Sequence, residues 1–116
     1  MAIKVSTDNG HALLTSIYKA IVEKRVQTWR YIDHEGERYL THSADQWDAK
    51  AWLKGSVQHP GLVFNIVPPK GSAVTTEVYA IYHGRFIEML LAHFDSQMGD
   101  AAATAKPVVG DVVKAA

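Results

Sequence analysis

Six histidines, at positions 11, 34, 42, 59, 83 and 93, are the residues best suited to proton transfer or metal binding near neutral pH. No two stand four apart as in a zinc-protease helix, and none has an acidic partner at a diagnostic offset. His34 lies in the run DHEGE, where Asp33, Glu35 and Glu37 could surround a hard cation, but alternating charges at a hairpin tip are ordinarily solvated. His42 and His83 each close an expected strand beside an expected helix start. Either could act as an acid–base group while Arg30 or Arg38 holds an anion, which is the enzymatic alternative. That chemistry requires the four side chains to converge in one cleft.

Motifs that carry specific chemistry are missing. The run PPKGS lacks the spacing of a phosphate-cradling loop, and neither an esterase elbow nor a dinucleotide fingerprint occurs. With no cysteine, thiolate metal sites, disulfides and thiol catalysis are excluded. No catalytic residue, metal or cofactor is therefore expected.

The elements that would position these residues follow from periodicity. Thr7, Asp8 and Asn9 offer capping oxygens ahead of Leu13, Leu14, Ile17, Tyr18 and Ile21, which recur at helical spacing. Two aromatic and β-branched runs, VQTWRYID and RYLTH, flank Gly36 as a hairpin. A three-residue turn sets Tyr31 opposite Tyr39 and Ile32 opposite Arg38. Ser43 and Gln46 form a capping-box pattern and Gly55 stands where a helix could end, so a short helix is expected over 44–54. LVFNIV reads as a strand stopped by Pro68 and Pro69, TTEVYAIYH as another, and a last helix begins near Gly84. The order α-β-β-α-β-β-α predicts an α+β domain over 1–98, a four-stranded antiparallel sheet covered by helices on one face. From Gly99 the chain has no aromatic residue, and 99–116 is expected as a flexible tail unless the valines of PVVGDVV dock on a partner or on the domain itself.

These elements direct attention to particular side chains. On the expected second helix, Trp47 and Trp52 are about 140° apart at about 100° per residue, so one layer could not bury both. Trp52 is then left for a second subunit, a ligand, the tail or a neighbouring helix to cover. In the expected register Trp29, Tyr31 and Tyr39 share one hairpin face, while Arg30, Ile32, Arg38, Leu40 and His42 share the other. With the aromatic face inside, the second face suits an anion or an acidic partner; with the arrangement reversed, the exposed rings could stack on bases or a ring-containing ligand. On the last helix Phe86 and Met89 widen the apolar row Ile87, Leu90, Leu91 and Phe94, which suits either deep burial of the helix or packing of one side on a second copy.

Composition narrows the partners. Twelve basic residues balance 12 acidic ones, 47% of the chain is hydrophobic and 21% charged, as in ordinary globular proteins. Lys19, Lys24, Arg25 and Arg30 form the one basic cluster, weak support for nucleic acid, which is not favoured as a partner. No window approaches the roughly 18 apolar residues of a membrane span, and the first 25 residues lack a secretory core, so a soluble cytoplasmic protein without a membrane partner is expected. The functional expectation is a small binding module, a homodimer, contacting its partner through Trp52, Arg30, Arg38, His42, Phe86 and Met89. A small anionic ligand is the alternative occupant.

Overall fold

Two capped helices and six strands account for a little over half of the chain. The computed structural model describes residues 2–58, 61–69 and 72–112. Along the chain run β1 (Ala2–Val5), α1 (Gly10–Val22), β2 (Trp29–His34), β3 (Glu37–His42), β4 (Trp52–Gln58), β5 (Gly61–Val67), α2 (Thr76–Phe94) and β6 (Ala101–Ala103). The strands form one six-stranded sheet in the order β2-β3-β4-β5-β1-β6, with every pairing antiparallel. The α+β class expected from the sequence is present; the sheet has six strands rather than four, and two helices replace the expected three.

Asn9 caps α1 by accepting a hydrogen bond from Ala12 N, and the helix buries Leu13, Ile17, Ala20 and Ile21. It ends where Lys24 turns to φ 61°, with Lys24 N donating to Ile21 O and Arg25 N to Ala20 O, a Schellman closure built on a lysine instead of the usual glycine. The inner sheet face, turned toward both helices, carries Ile3, Val5, Leu40, Leu53, Leu62, Phe64 and Ile66, all buried in one cluster with the apolar sides of α1 and α2.

Three expectations are corrected. The stretch 44–54 is not a helix: Asp45–Trp47 make one 3₁₀ turn and β4 follows. Gly55 lies mid-strand opposite Phe64, where a Cβ would come within 2.8 Å of the Phe64 ring and 3.0 Å of Leu14, so it is there for close packing and not for ending a helix. The angular argument about Trp47 and Trp52 therefore lapses, because the two tryptophans never share a helix. The run TTEVYAIYH is not a strand but the first part of α2, capped by Thr75, whose hydroxyl accepts from Val78 N. The buried face of α2 is Tyr82, His83, Phe86, Met89, Leu90 and Phe94; Leu91 is 52% exposed. β1, too short to stand out in the sequence, is the sixth strand's neighbour and lies deep in the sheet.

The segment expected as a tail places β6 against β1 and then crosses toward β5. Thr104 N donates to Ala2 O, and Ala2 N to Thr104 Oγ1. Beyond the end of β1, Ile66 finds new partners: its N–H donates to Asp111 Oδ1, and its carbonyl accepts from Val112 N. Asn65 Nδ2 donates to Val109 O and Asp111 Oδ1, while Gly110 at φ 99° passes so close to this amide that a Cβ would stand 2.7 Å from its oxygen. Val113 and the residues after it are outside the described residues, as are His59, Pro60, Lys70 and Gly71.

Candidate functional site on the helix-free sheet face

The hairpin between β2 and β3 decides which side chains face outward. Glu35 and Gly36 take φ of 52° and 80°, the left-handed pair of a two-residue turn. Residue pairing is therefore Tyr31 with Leu40, Ile32 with Tyr39 and Asp33 with Arg38, one residue away from the expected register. Side chains alternate along a strand, so this shift moves Arg38, Tyr39, Leu40 and His42 across the sheet relative to β2. Trp29 and Tyr31 join Arg38, Leu40 and His42 on the inner side, while Arg30, Ile32 and His34 join Tyr39 on the outer side.

On that outer side the rings of Tyr39 and Trp52 lie 5.0 Å apart at 34°, and His34 sits 5.2 Å from Trp52 at 58°. Ile32, His34, Tyr39 and Trp52 are each half-buried, although no helix covers them. Beside them Lys54 Nζ meets Glu37 at 3.1 Å. Arg30 holds Asp48 Oδ1 through Nε at 3.2 Å and Nη2 at 2.8 Å, at the rim of the same face. The surface is an aromatic and aliphatic patch framed by neutralised ion pairs.

The remaining expected site residues are elsewhere. Arg38 binds Asp33 through Nε at 2.9 Å, and its guanidinium lies 4.4 Å from the Tyr31 ring centroid and 5.5 Å from that of Tyr18. The hydrogen bond from Arg38 holds the Asp33 carboxyl below its ordinary range, while burial raises the Tyr18 hydroxyl against the partial opposition of Arg38. This is an anchor joining the hairpin to α1. Phe86 and Met89 are 0% and 4% exposed, inside the core, so they cannot form part of a docking surface. Arg30 and Arg38 thus stand on opposite sides of the sheet, each already with a carboxylate, and the anion clamp that would join them to His42 or His83 is not assembled. Of the basic cluster, Arg25 pairs with Glu23 at 3.0 Å and Arg30 with Asp48.

His42 and His83 are both buried. His83 donates from Nδ1 to the Tyr79 carbonyl at 2.7 Å within α2. His42 packs edge-on against Trp29 and accepts the Ala44 N–H at Nδ1, 3.1 Å away, which requires the neutral ring. Burial, and then the nearby charge of Arg85, lower its pKa below the ordinary 6.5, against smaller opposing contributions from Asp48 and Glu88. The unfolded chain therefore takes up this proton first. Stability from His42 is complete above pH 6.5 and is lost as pH falls from there through the folded-state pKa. Denaturant titrations between pH 7.5 and 5 (values chosen to bracket a pKa of about 6.5) are expected to give a smaller pH slope for His42→Asn, whose amide oxygen can still accept from Ala44. An unchanged slope would show that His42 is not the group responsible.

Among the described residues, one cavity lies away from this face and another borders its rim at Asp48. The first, of about 570 Å³, opens beside the α1 N-terminus among Ser6, Thr7, Asn9, Ser96 and Gln97. Its polar groups already tie the two chain ends together: Thr7 Oγ1 donates to Gln97 O at 2.6 Å, and Asp100 N to Ser6 Oγ at 2.6 Å. The other, about 500 Å³, lies between residues 47–50 and the start of α2. Among the described residues no cluster of three or more His, Asp or Glu has the arrangement to hold a metal ion, and no helix is long and apolar enough to cross a membrane.

Sequence reasoning singled out Trp52 and Arg30 but placed both Tyr39 and Ile32 with the wrong neighbours, Tyr39 with Trp29 and Tyr31 and Ile32 with Arg38 and Leu40. A two-residue Glu-Gly turn was the signal that would have grouped them correctly. No protein-family model matches the chain, and comparison with curated proteins and with solved structures gives no significant match.

Proposed function

We propose that this chain is a small interaction module that associates with a second copy of itself, using the hairpin half of its helix-free sheet face, with Trp52 and Arg30 at the contact. The observation carrying this reading is the patch formed by Ile32, His34, Tyr39 and Trp52, ordered by ring packing on a side no helix covers. Apolar and aromatic surface grouped in this way, with charge confined to its rim, is the composition of a protein contact. An anionic ligand is less well served, because it would have to displace Asp48 from Arg30 or Asp33 from Arg38.

Sedimentation velocity over a concentration series tests this directly. A dimer is expected, and Ile32→Lys, which sets a cation inside the patch, should shift it to monomer while circular dichroism stays native. Trp52→Ala should also weaken association, since the indole packs on the rings of both Tyr39 and His34 within the patch. A wild-type chain that stays monomeric up to its solubility limit overturns the reading.

A further inference from the structure

β2 is an outer strand of the sheet, with β3 on one side and, among the described residues, no strand on the other. Its hydrogen-bond parity is fixed by the hairpin. Ser43 N donates to Thr28 O, and the two-residue turn makes His34 and Glu37 the last bonded pair, so residues 28, 30, 32 and 34 direct their main-chain groups at β3. Trp29, Tyr31 and Asp33 consequently aim their N–H and C=O groups at the open side. The edge is six residues long and contains neither proline nor lysine, the residues that commonly discourage pairing. The opposite edge, β6, has only three residues, all alanine.

Charge distinguishes what can pair there. The chain entering β2 carries Lys24 and Arg25, the latter paired with Glu23. The turn leaving it carries Asp33, Glu35 and Glu37, of which Asp33 pairs with Arg38 and Glu37 with Lys54, so the entrance stays net positive through Lys24 and the turn net negative through Glu35. An antiparallel second copy lays each basic entrance along the other copy's acidic turn; a parallel one would set like against like. Register is constrained too. Centring the pair on Arg30 would oppose two guanidinium groups, whereas centring it on Tyr31 uses all three outward residues, with Trp29 of one copy opposite Asp33 of the other. On the outer face Ile32 then lies across from Arg30 of the second copy, and the two Trp52 patches become parts of one continuous surface.

We infer that two copies join by antiparallel β2–β2 pairing about a two-fold axis at Tyr31, extending both sheets into one. This rests on the self-association proposed above but sets the seam at the β2 edge: Arg30 and Ile32 lie at it, while Trp52, on β4, flanks it on the open face rather than lying between the copies. Tyr31→Pro removes only an outward N–H and spares the β3 ladder, so it is compared with Tyr31→Ala, which keeps the N–H. In sedimentation equilibrium the proline variant is expected to dissociate about a hundredfold more readily than the alanine variant. Arg25→Glu or Glu37→Lys alone should weaken the dimer, and the double variant should restore it. Hydrogen exchange gives a readout that needs no variant: the Tyr31 and Asp33 amides should be protected in wild type and lose protection on dilution. A dimer indifferent to the proline and the charge exchanges, with fast-exchanging Tyr31 and Asp33 amides, overturns the edge pairing and leaves self-association standing. A monomeric wild type, with those amides fast at every concentration, overturns both.

Discussion

Phe86→Ala is expected to destabilise the protein by about 3–5 kcal/mol, the range for truncating a fully buried aromatic residue. Phe86 has no exposed surface, and its ring meets Trp29 at 5.0 Å and Phe64 at 4.6 Å. It is the point where α2, the sheet centre and the start of β2 touch. The neighbours are themselves large rings held by other contacts, so little collapse into the vacated volume is available. In a chain of 116 residues this is a lowering of the melting temperature by about 10 °C or more, read by calorimetry or thermal circular dichroism. A loss below about 1 kcal/mol would mean that α2 does not insert this ring into the core. The same variant separates two roles for the residue, because a surface phenylalanine serving a partner would leave the isolated chain's stability nearly unchanged.

Tyr82→Phe is expected to cost about 1–3 kcal/mol while preserving the ring, since its effect comes from polar groups left without a partner. The Tyr82 hydroxyl donates to the Trp47 carbonyl and accepts the Lys50 N–H at 3.1 Å. The Thr41 hydroxyl stands 3.2 Å away and itself donates to Ala51 O at 2.8 Å. One phenol on α2 thereby fixes the irregular connection between β3 and β4, whose Ala49 holds φ at 57°. Hydrogen exchange should locate the damage: the Lys50 amide accelerates beyond the global change in stability, while amides of α1 follow the global change. Uniform acceleration throughout would show that the hydroxyl does not anchor this segment.

Local signals were legible where one residue type settled the matter. Asn9 and the spacing of Leu13, Ile17 and Ile21 specify α1, and the prolines at 68 and 69 mark the end of β5. Failures came where two readings use the same residues. Val78, Ala80 and Tyr82 alternate as a strand would, but Tyr82, Phe86, Met89 and Leu90 continue one helical stripe, and the longer pattern prevails because it buries more surface. Ser43 and Gln46 resemble a helix start, yet the chain beyond is claimed by pairing with β5, a contact no local pattern reports. The candidate surface suffered from a single residue of register. Glu35 adopts a backbone conformation usually left to asparagine or glycine, and every inference about which side Arg38, Tyr39 and His42 face depended on it.

The placement of β1 has a consequence for biosynthesis. β1 sits between β5 and β6, both synthesised after it, and Ala2 meets Thr104 across 102 residues of sequence. A nascent chain leaving the ribosome carries Ile3 and Val5 without their sheet neighbours until most of the polypeptide has been translated. β1 thus waits for partners that lie far along the chain, and a stalled translation product ending before β5 would carry this apolar strand with neither of its sheet neighbours.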